Sequence, residues 1–197
     1  MLKVYISESR NGKGVFASRD LKPGERILKI TGKLLSFQET VDLGDLESYP
    51  IQVNSISERE SYLMPDPPIF YLNHGCHPAG NVFINPKMEL IAIKKIPKNH
   101  EIIYDYSLSM NEGGHWSLEK CNCGSIHYRG SAQDFTKLSP SLQRELVSKG
   151  LVMSHIYKDL DESPPWFVSS RTNFETHSPQ NSSLKSFINK KSLSPLS

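Results

Sequence analysis

Turns constrain this chain most. Lys22-Pro23-Gly24-Glu25 and Ile96-Pro97-Lys98-Asn99-His100 are matching punctuation marks, and each leads into a short apolar run, Ile27–Ile30 in one case and Ile102–Ile103 in the other. Proline presets φ for the turn and glycine accepts positive φ, so the chain reverses at both places. Further short runs, VYIS, GVFAS, NVFIN and ELIAIKKI, are separated by loops of the same kind, and the last two read as a hairpin around Asn85-Pro86-Lys87. Apolar runs this short, interrupted this regularly, predict a mainly β, β-rich α+β domain.

Other segments are less regular. Ser36–Leu46 can hold one short helix and Tyr49–Ile56 alternates weakly, as a strand would. Met64-Pro65-Asp66-Pro67-Pro68 is expected to be irregular, because proline removes donors and restricts the residue before it. The best helix spans Ser139–Lys149: Ser139 caps it, Pro140 suits its first position and Gly150 its stop. Leu142, Leu146 and Val147 form its apolar stripe. From about residue 159 onward the chain turns rich in Ser, Asn and Pro and loses periodicity, which predicts a disordered tail over 159–197. Trp166-Phe167 is a candidate docking element within it.

Composition narrows the class. The 197 residues are 37% hydrophobic and 22% charged, with a net charge of +2. That charge is too small to argue for direct nucleic-acid binding. No apolar run approaches a membrane span, and the first residues lack the hydrophobic core of a secretory signal, so an intracellular protein with no membrane partner is expected. Cys76, Cys121 and Cys123 are too few for a disulfide scaffold. The spacing of Cys121 and Cys123 suits shared metal ligation, and three free thiols are the other reading.

Two segments carry the chemistry. The first is Asn73-His74-Gly75-Cys76-His77-Pro78. The second is Glu101-Ile102-Ile103-Tyr104-Asp105-Tyr106. In order and flanking residues they resemble the signature motifs of SET-domain protein lysine methyltransferases. The stretch NGKGVFASRDLKPGERI resembles the first segment of that family, and Cys121-Asn122-Cys123-Gly124 through Arg129-Gly130 resembles its post-SET motif. Residues 131–158 resemble the helical end of small microbial members.

The resemblance implies a β-clip-like SET fold of several small sheets, with a pseudoknot crossing near residues 73–76 and 100–106 and a C-terminal helix. It implies a SET domain over 1–110 with a variable insert at 33–70, a post-SET-like segment at 111–130 and a helical extension at 131–158. It implies S-adenosyl-L-methionine as cofactor, held by Gly12, Lys13, Gly14, Asn73 and His74, with Trp116 over the adenine. Tyr106 matches the catalytic tyrosine and Tyr104 the neighbouring position, where tyrosine resembles enzymes that stop at mono- or dimethylation; mainly monomethyl product is expected. The partner implied is a protein or peptide presenting a lysine, a histone tail or another protein. The family places Cys76, Cys121 and Cys123 around zinc. Its fourth ligand falls on Tyr128, a poor zinc ligand, with His127 adjacent and capable. The family's Asn after Pro is Ala79 here, with Asn81 two residues on. A catalytically inactive SET-type peptide-binding or scaffold module is the rival reading.

Overall fold

The computed structural model describes residues 2–46, 49–112, 117–118 and 120–160. Strands β1 (Val4–Ser9) and β2 (Gly12–Ala17) form an antiparallel hairpin in which Ser9 pairs with Gly12. Gly12 closes it at φ +85°, a backbone state that disfavours any side chain. Gly24, at φ +75°, makes the turn before β3 (Arg26–Lys29), and Asn99, at φ +64°, makes the matching turn before the strand Glu101–Tyr104. The echo seen in sequence is also an echo in space: Leu21 and Ile96 bridge the two turns.

β4 (Gly32–Leu35), β5 (Ile51–Gln52) and β6 (Tyr62–Pro65) form a separate three-stranded sheet in the order β4-β6-β5. Between β4 and β5 lies α1 (Phe37–Val41). Ser36 caps it: the Ser36 hydroxyl accepts the Glu39 N–H while the Glu39 carboxylate accepts the Ser36 N–H. The expectation that Met64 and Pro65 are irregular is corrected here, since both belong to β6. Pro65 sits at the strand's end and pairs only with Gly32, so its missing donor removes no interior ladder bond. Gly32 is required by that approach, because a Cβ there would lie 2.1 Å from the Met64 carbonyl oxygen. The strand expected over Tyr49–Ile56 shrinks to two residues.

β7 (Asn73–His74), β8 (Val82–Ile84), β9 (Glu89–Ala92) and β10 (Glu101–Tyr104) complete the main sheet, ordered β1-β2-β10-β8-β9-β3, with β7 also on β10. β10 is antiparallel to β2 but parallel to both β7 and β8. Parallel pairing forces the chain to cross over between partners, and the 73–82 loop makes that crossing. Asn81 staples it: its amide donates to the Glu101 carbonyl at 2.8 Å and accepts the Ile103 N–H at 3.0 Å. The architecture is mostly β, with a curled main sheet, small accessory sheets and few helices.

Along β10 burial alternates, with Ile102 and Tyr104 inward. Val15, Leu21, Ile84, Leu90, Ile96 and Ile102 form the buried core beneath the sheet. β11 (Ser117–Leu118) and β12 (Ala132–Gln133) pair antiparallel and lead to α2 (Pro140–Ser148) and α3 (Ser154–Asp159). α2 starts and stops as its caps predict, with the Ser139 hydroxyl accepting the Leu142 N–H and Gly150 at φ +66°. Leu146, Ile156 and Tyr157 bury against the core, each worth roughly 1.5–3 kcal/mol. α3 runs into the segment read as tail, because Asp159 accepts from Asn111 and from Ser55. Residues 161–197, including Trp166-Phe167, lie outside the described residues. No helix among the described residues is long and apolar enough to cross a membrane.

His155 on α3 is 1% exposed, and its Nε2 donates to the Ser109 carbonyl at 2.8 Å. Burial pulls its pKa from 6.5 down to about 4, against the opposing pull of Ser109 and the Asp159 carboxylate. Between those two values the unfolded chain binds the extra proton. Stability is therefore full above pH 6.5 and is lost as pH falls toward 4, by up to about 3 kcal/mol. Thermal melts should show Tm falling across this window, with a shallower slope in His155→Gln.

Candidate active site

The end of β10 organises the site. Tyr104 is its last residue, and Tyr106 opens a short 3-10 turn, Tyr106–Leu108, capped by the Asp105 carboxylate accepting the Ser107 N–H. Tyr104 and Tyr106 both face one cavity of about 300 Å³, their ring centroids 6.3 Å apart. Asp105, between them, points the other way and is 1% exposed. The Tyr106 hydroxyl donates to the Leu72 carbonyl at 2.7 Å, which fixes its direction and leaves it able to accept. The Tyr104 hydroxyl is buried with the Ser109 hydroxyl near it and no well-formed hydrogen bond among the described residues. Burial drives both phenols well above the ordinary range, so both are neutral donors at physiological pH.

Aromatic side chains from the small sheet and the turn before β7 complete the wall. Tyr49 stacks on Phe70 at 4.4 Å with an 11° interplanar angle, and Phe70 meets Tyr71 edge to face at 5.1 Å. The Lys13 ammonium lies 5.5 Å over the Tyr71 ring, a cation–π distance. A second small core, Leu35, Tyr62 and Met110, packs on Tyr106 and ties the accessory sheet to the wall of the cavity.

At the other end of the cavity lie Gly12, Lys13 and Asn73. The Asn73 amide nitrogen donates to Glu101 Oε1 at 2.7 Å and to the Lys13 carbonyl at 3.1 Å. Ser9 also donates to Glu101 Oε1, at 2.7 Å. With its nitrogen engaged, Asn73 has its carbonyl oxygen left for the cavity. Gly14 serves this clamp and not the cavity: a Cβ there would lie 2.3 Å from Glu101 Oε1. The expectation of backbone–cofactor contact therefore rests on Gly12 and Lys13, while Gly14 admits Glu101.

His74 is turned away from the cavity. Its Nδ1 accepts the Tyr106 N–H at 3.2 Å, and its Nε2 lies 3.3 Å from Cys76 Sγ. Burial lowers its pKa to about 4, so the ring is neutral. With Nδ1 accepting, the proton sits on Nε2 and is donated to the Cys76 sulfur. The Cys76 and Cys121 sulfurs are 3.7 Å apart, and the ligand atoms of His74, Cys76 and Cys121 all lie within 4.8 Å of one another. Burial raises the Cys76 thiol and pushes Cys121 up to about 12. Burial also opposes ionisation of Cys123. The Cys76 and Ser125 N–H groups and the two neighbouring thiols outweigh it, and Cys123 ends below the usual thiol range. The Arg129 N–H points at Cys76 and the Cys123 N–H at Cys121. Sulfurs that collect backbone N–H groups in this way suit thiolates bound to a soft cation.

Where the motif puts a fourth ligand stands Tyr128, which is otherwise engaged. The Tyr128 hydroxyl donates to the Gly130 carbonyl at 2.9 Å, and the side chains of Tyr128 and His127 are exposed. Trp116 lies outside the described residues.

Two working residues escape a reading of the motifs. Glu101 was legible only as the acidic residue that opens the second motif. Arg129 was legible only as part of the Arg129-Gly130 end of the post-SET-like segment, with nothing to name its partner. Its guanidinium grips Asp105 through two bonds, 2.7 and 2.8 Å. Burial alone would raise Asp105, yet Arg129 holds its carboxyl below the usual carboxylate range.

Comparison with known proteins agrees with this geometry. A family model described as SET domain matches residues 12–107. Histone-lysine N-methyltransferase 2D of Homo sapiens and its counterpart in Mus musculus are each 24% identical over 138 residues, 64% of this chain and 2% of theirs. The chain thus spans 2% of the length of these relatives. The solved methyltransferase domain of human histone-lysine N-methyltransferase SETMAR superposes with a TM-score of 0.53 at 21% identity, over 68% of this chain and 59% of that one. The span from the β2 glycines through the paired tyrosine motif, residues 12–107, is thus a SET domain.

Proposed function

We propose that this protein transfers a methyl group from S-adenosyl-L-methionine to the ε-amine of a lysine in a protein substrate, giving mainly monomethyllysine. The observation that carries the reading is the pair of neutral tyrosines facing one aromatic cavity, one hydroxyl anchored on the Leu72 carbonyl and the other buried without a well-formed hydrogen bond among the described residues. The histone-lysine specificity named for the relatives makes histones the first substrates to test.

The cofactor supplies an electrophilic methyl group on a positively charged sulfur. The chain does the rest by position and environment. Gly12, Lys13 and Asn73, which line the cavity, would hold the cofactor, the Lys13 ammonium suiting a carboxylate and the Asn73 carbonyl an ammonium. The ring wall of Tyr49, Phe70 and Tyr71 excludes water from an entering lysine. A desolvated ammonium loses its proton more readily, and only the neutral amine has the lone pair that attacks. The proton leaves to water before the cavity closes, so no general base is required. Tyr106 accepts from and orients the amine, and fixed alignment of this kind supplies several kcal/mol. The Tyr104 hydroxyl, whose hydrogen-bonding capacity is unspent, occupies space beside the amine that a second methyl group would need.

Tyr106→Phe should reduce label transfer from isotope-labelled S-adenosylmethionine to histones or lysate proteins by about 100-fold. Unchanged transfer would remove Tyr106 from the chemistry. No transfer and no cofactor binding by the wild type would favour a non-catalytic peptide-binding module. Mass spectrometry of the product should show mainly one added methyl in the wild type and a shift toward two or three in Tyr104→Phe; predominant trimethyllysine from the wild type would overturn the product assignment.

We also read Cys76, Cys121 and Cys123 as holding zinc, with His74 donating a hydrogen bond to the Cys76 sulfur. Bound there, zinc would cross-link the 120–130 segment to the crossing loop. Elemental analysis should find about one zinc per chain. Cys121→Ser should lose the metal and lower Tm by several degrees. A metal-free wild type with the same Tm as Cys121→Ser would leave three free thiols.

A further inference from the structure

Asp105 is the residue between the two cavity tyrosines, and nothing in the substrate path reaches it. It is 1% exposed and belongs to the side of β10 away from the cavity. Its carboxylate is fully engaged. Oδ2 accepts the His77 N–H at 2.8 Å and Arg129 Nη1 at 2.7 Å. Oδ1 accepts the Ser107 N–H at 3.1 Å and Arg129 Nη2 at 2.8 Å. Arg129 Nη2 also donates to the Ser107 hydroxyl at 3.1 Å. One carboxylate thus joins three pieces of chain: the crossing loop at His77, the catalytic turn at Ser107 and the post-SET-like segment at Arg129.

The physical demand for this arrangement is strict. A carboxylate so deeply buried is stable as an anion only beside a matched cation, and the arginine fork reaches both oxygens at once. A lysine ammonium is a point charge and cannot span them. Asp105 also caps the 3-10 turn that carries Tyr106, so its rotamer sets the backbone path from Tyr104 to Tyr106. Whatever holds Asp105 therefore aims both phenols. Arg129 contributes a second link, since its N–H points at the Cys76 sulfur.

We propose that Arg129 is a positioning residue for the methyl-transfer site: by clamping Asp105 it holds Tyr104 and Tyr106 in register and fastens the 120–133 segment to the end of β10. It touches neither cavity nor tyrosine ring and acts only through Asp105. The assignment to methyl transfer rests on the function proposed above; the clamp itself does not.

The test compares Arg129→Gln, Arg129→Lys and the double variant Asp105→Asn/Arg129→Gln with the wild-type full chain. Two readouts are taken, amide hydrogen exchange and steady-state methyl transfer. Arg129→Gln strands a buried carboxylate, so exchange should rise by about tenfold or more in 101–108 and in 120–133 together, while β3 and β9 keep their protection. In the same variant kcat should fall by about tenfold or more, with KM for the protein substrate within about threefold. Arg129→Lys should recover only part of kcat. The double variant, a neutral amide pair with no stranded charge, should recover protection that Arg129→Gln loses. If Arg129→Gln does not fold, Arg129→Lys and the double variant carry the same comparison. Wild-type exchange in 101–108 of the folded single variants would overturn the clamp. A change confined to KM, or full kcat in Arg129→Lys, would overturn its positioning role. A wild-type protein with no methyl transfer defeats the functional reading alone, and the exchange data still decide the clamp.

Discussion

The pairing of β10 with three partners at once is the constraint on which the site depends. Glu101 and Ile102 pair with β2, Ile103 and Tyr104 with β7, and Tyr104 also with β8. Four residues thereby receive the start of the chain, the crossing loop and the hairpin strand. Parallel pairing on both β7 and β8 obliges the intervening residues to cross, and close packing there leaves no room for extra atoms. A Cβ at Gly75 would sit 2.8 Å from the Ile103 side chain, and one at Gly80 would sit 3.2 Å from the Gly75 carbonyl oxygen. The site is precise because its backbone is over-determined.

Alternation along this one strand then separates two kinds of chemistry. Tyr104 and Tyr106 face a cavity walled by aromatic rings. Asp105 faces a charged and sulfur-rich interior where Arg129, His74 and the three thiols gather. His74 sits at the boundary: it accepts the Tyr106 N–H on one nitrogen and donates to Cys76 with the other. Its neutrality follows from burial, and it suits both roles. A protonated ring would offer no acceptor to the Tyr106 backbone.

Around this centre the chain departs from the post-SET pattern that residues 121–130 resemble. Where a fourth cysteine is expected stands Tyr128, whose hydroxyl closes a local bond to Gly130. The next residue, Arg129, bonds both carboxylate oxygens of Asp105. The 120–133 segment is thus tied down by an ion pair as well as by sulfur. The loop altered at Ala79 is repaired differently: Asn81, two residues later, bonds the β10 backbone through both its amide nitrogen and its carbonyl oxygen.

What the sequence determined by itself is what depends on a few neighbouring residues. Pro23-Gly24 and Asn99 set turns because their own φ preferences allow little else. Ser36 with Glu39, and Ser139 with Pro140 and Gly150, set helix ends because the groups that satisfy one another lie within a turn or two of chain. Alternation placed Tyr104 and Tyr106 on one side and Asp105 on the other. Tertiary structure decided what depends on residues far apart in the chain. It brought Tyr49 onto Phe70, Arg129 onto Asp105 and Glu101 into the space that Gly14 leaves. It turned His74 from the cavity toward sulfur, and it allowed Pro65 into a strand because no neighbour asks for its N–H. The physical reason is one of range. Backbone preference and capping act over a few bonds and are written in adjacent letters. The value of a charge, a thiol or a missing Cβ is set by what the completed fold places within a few ångströms of it.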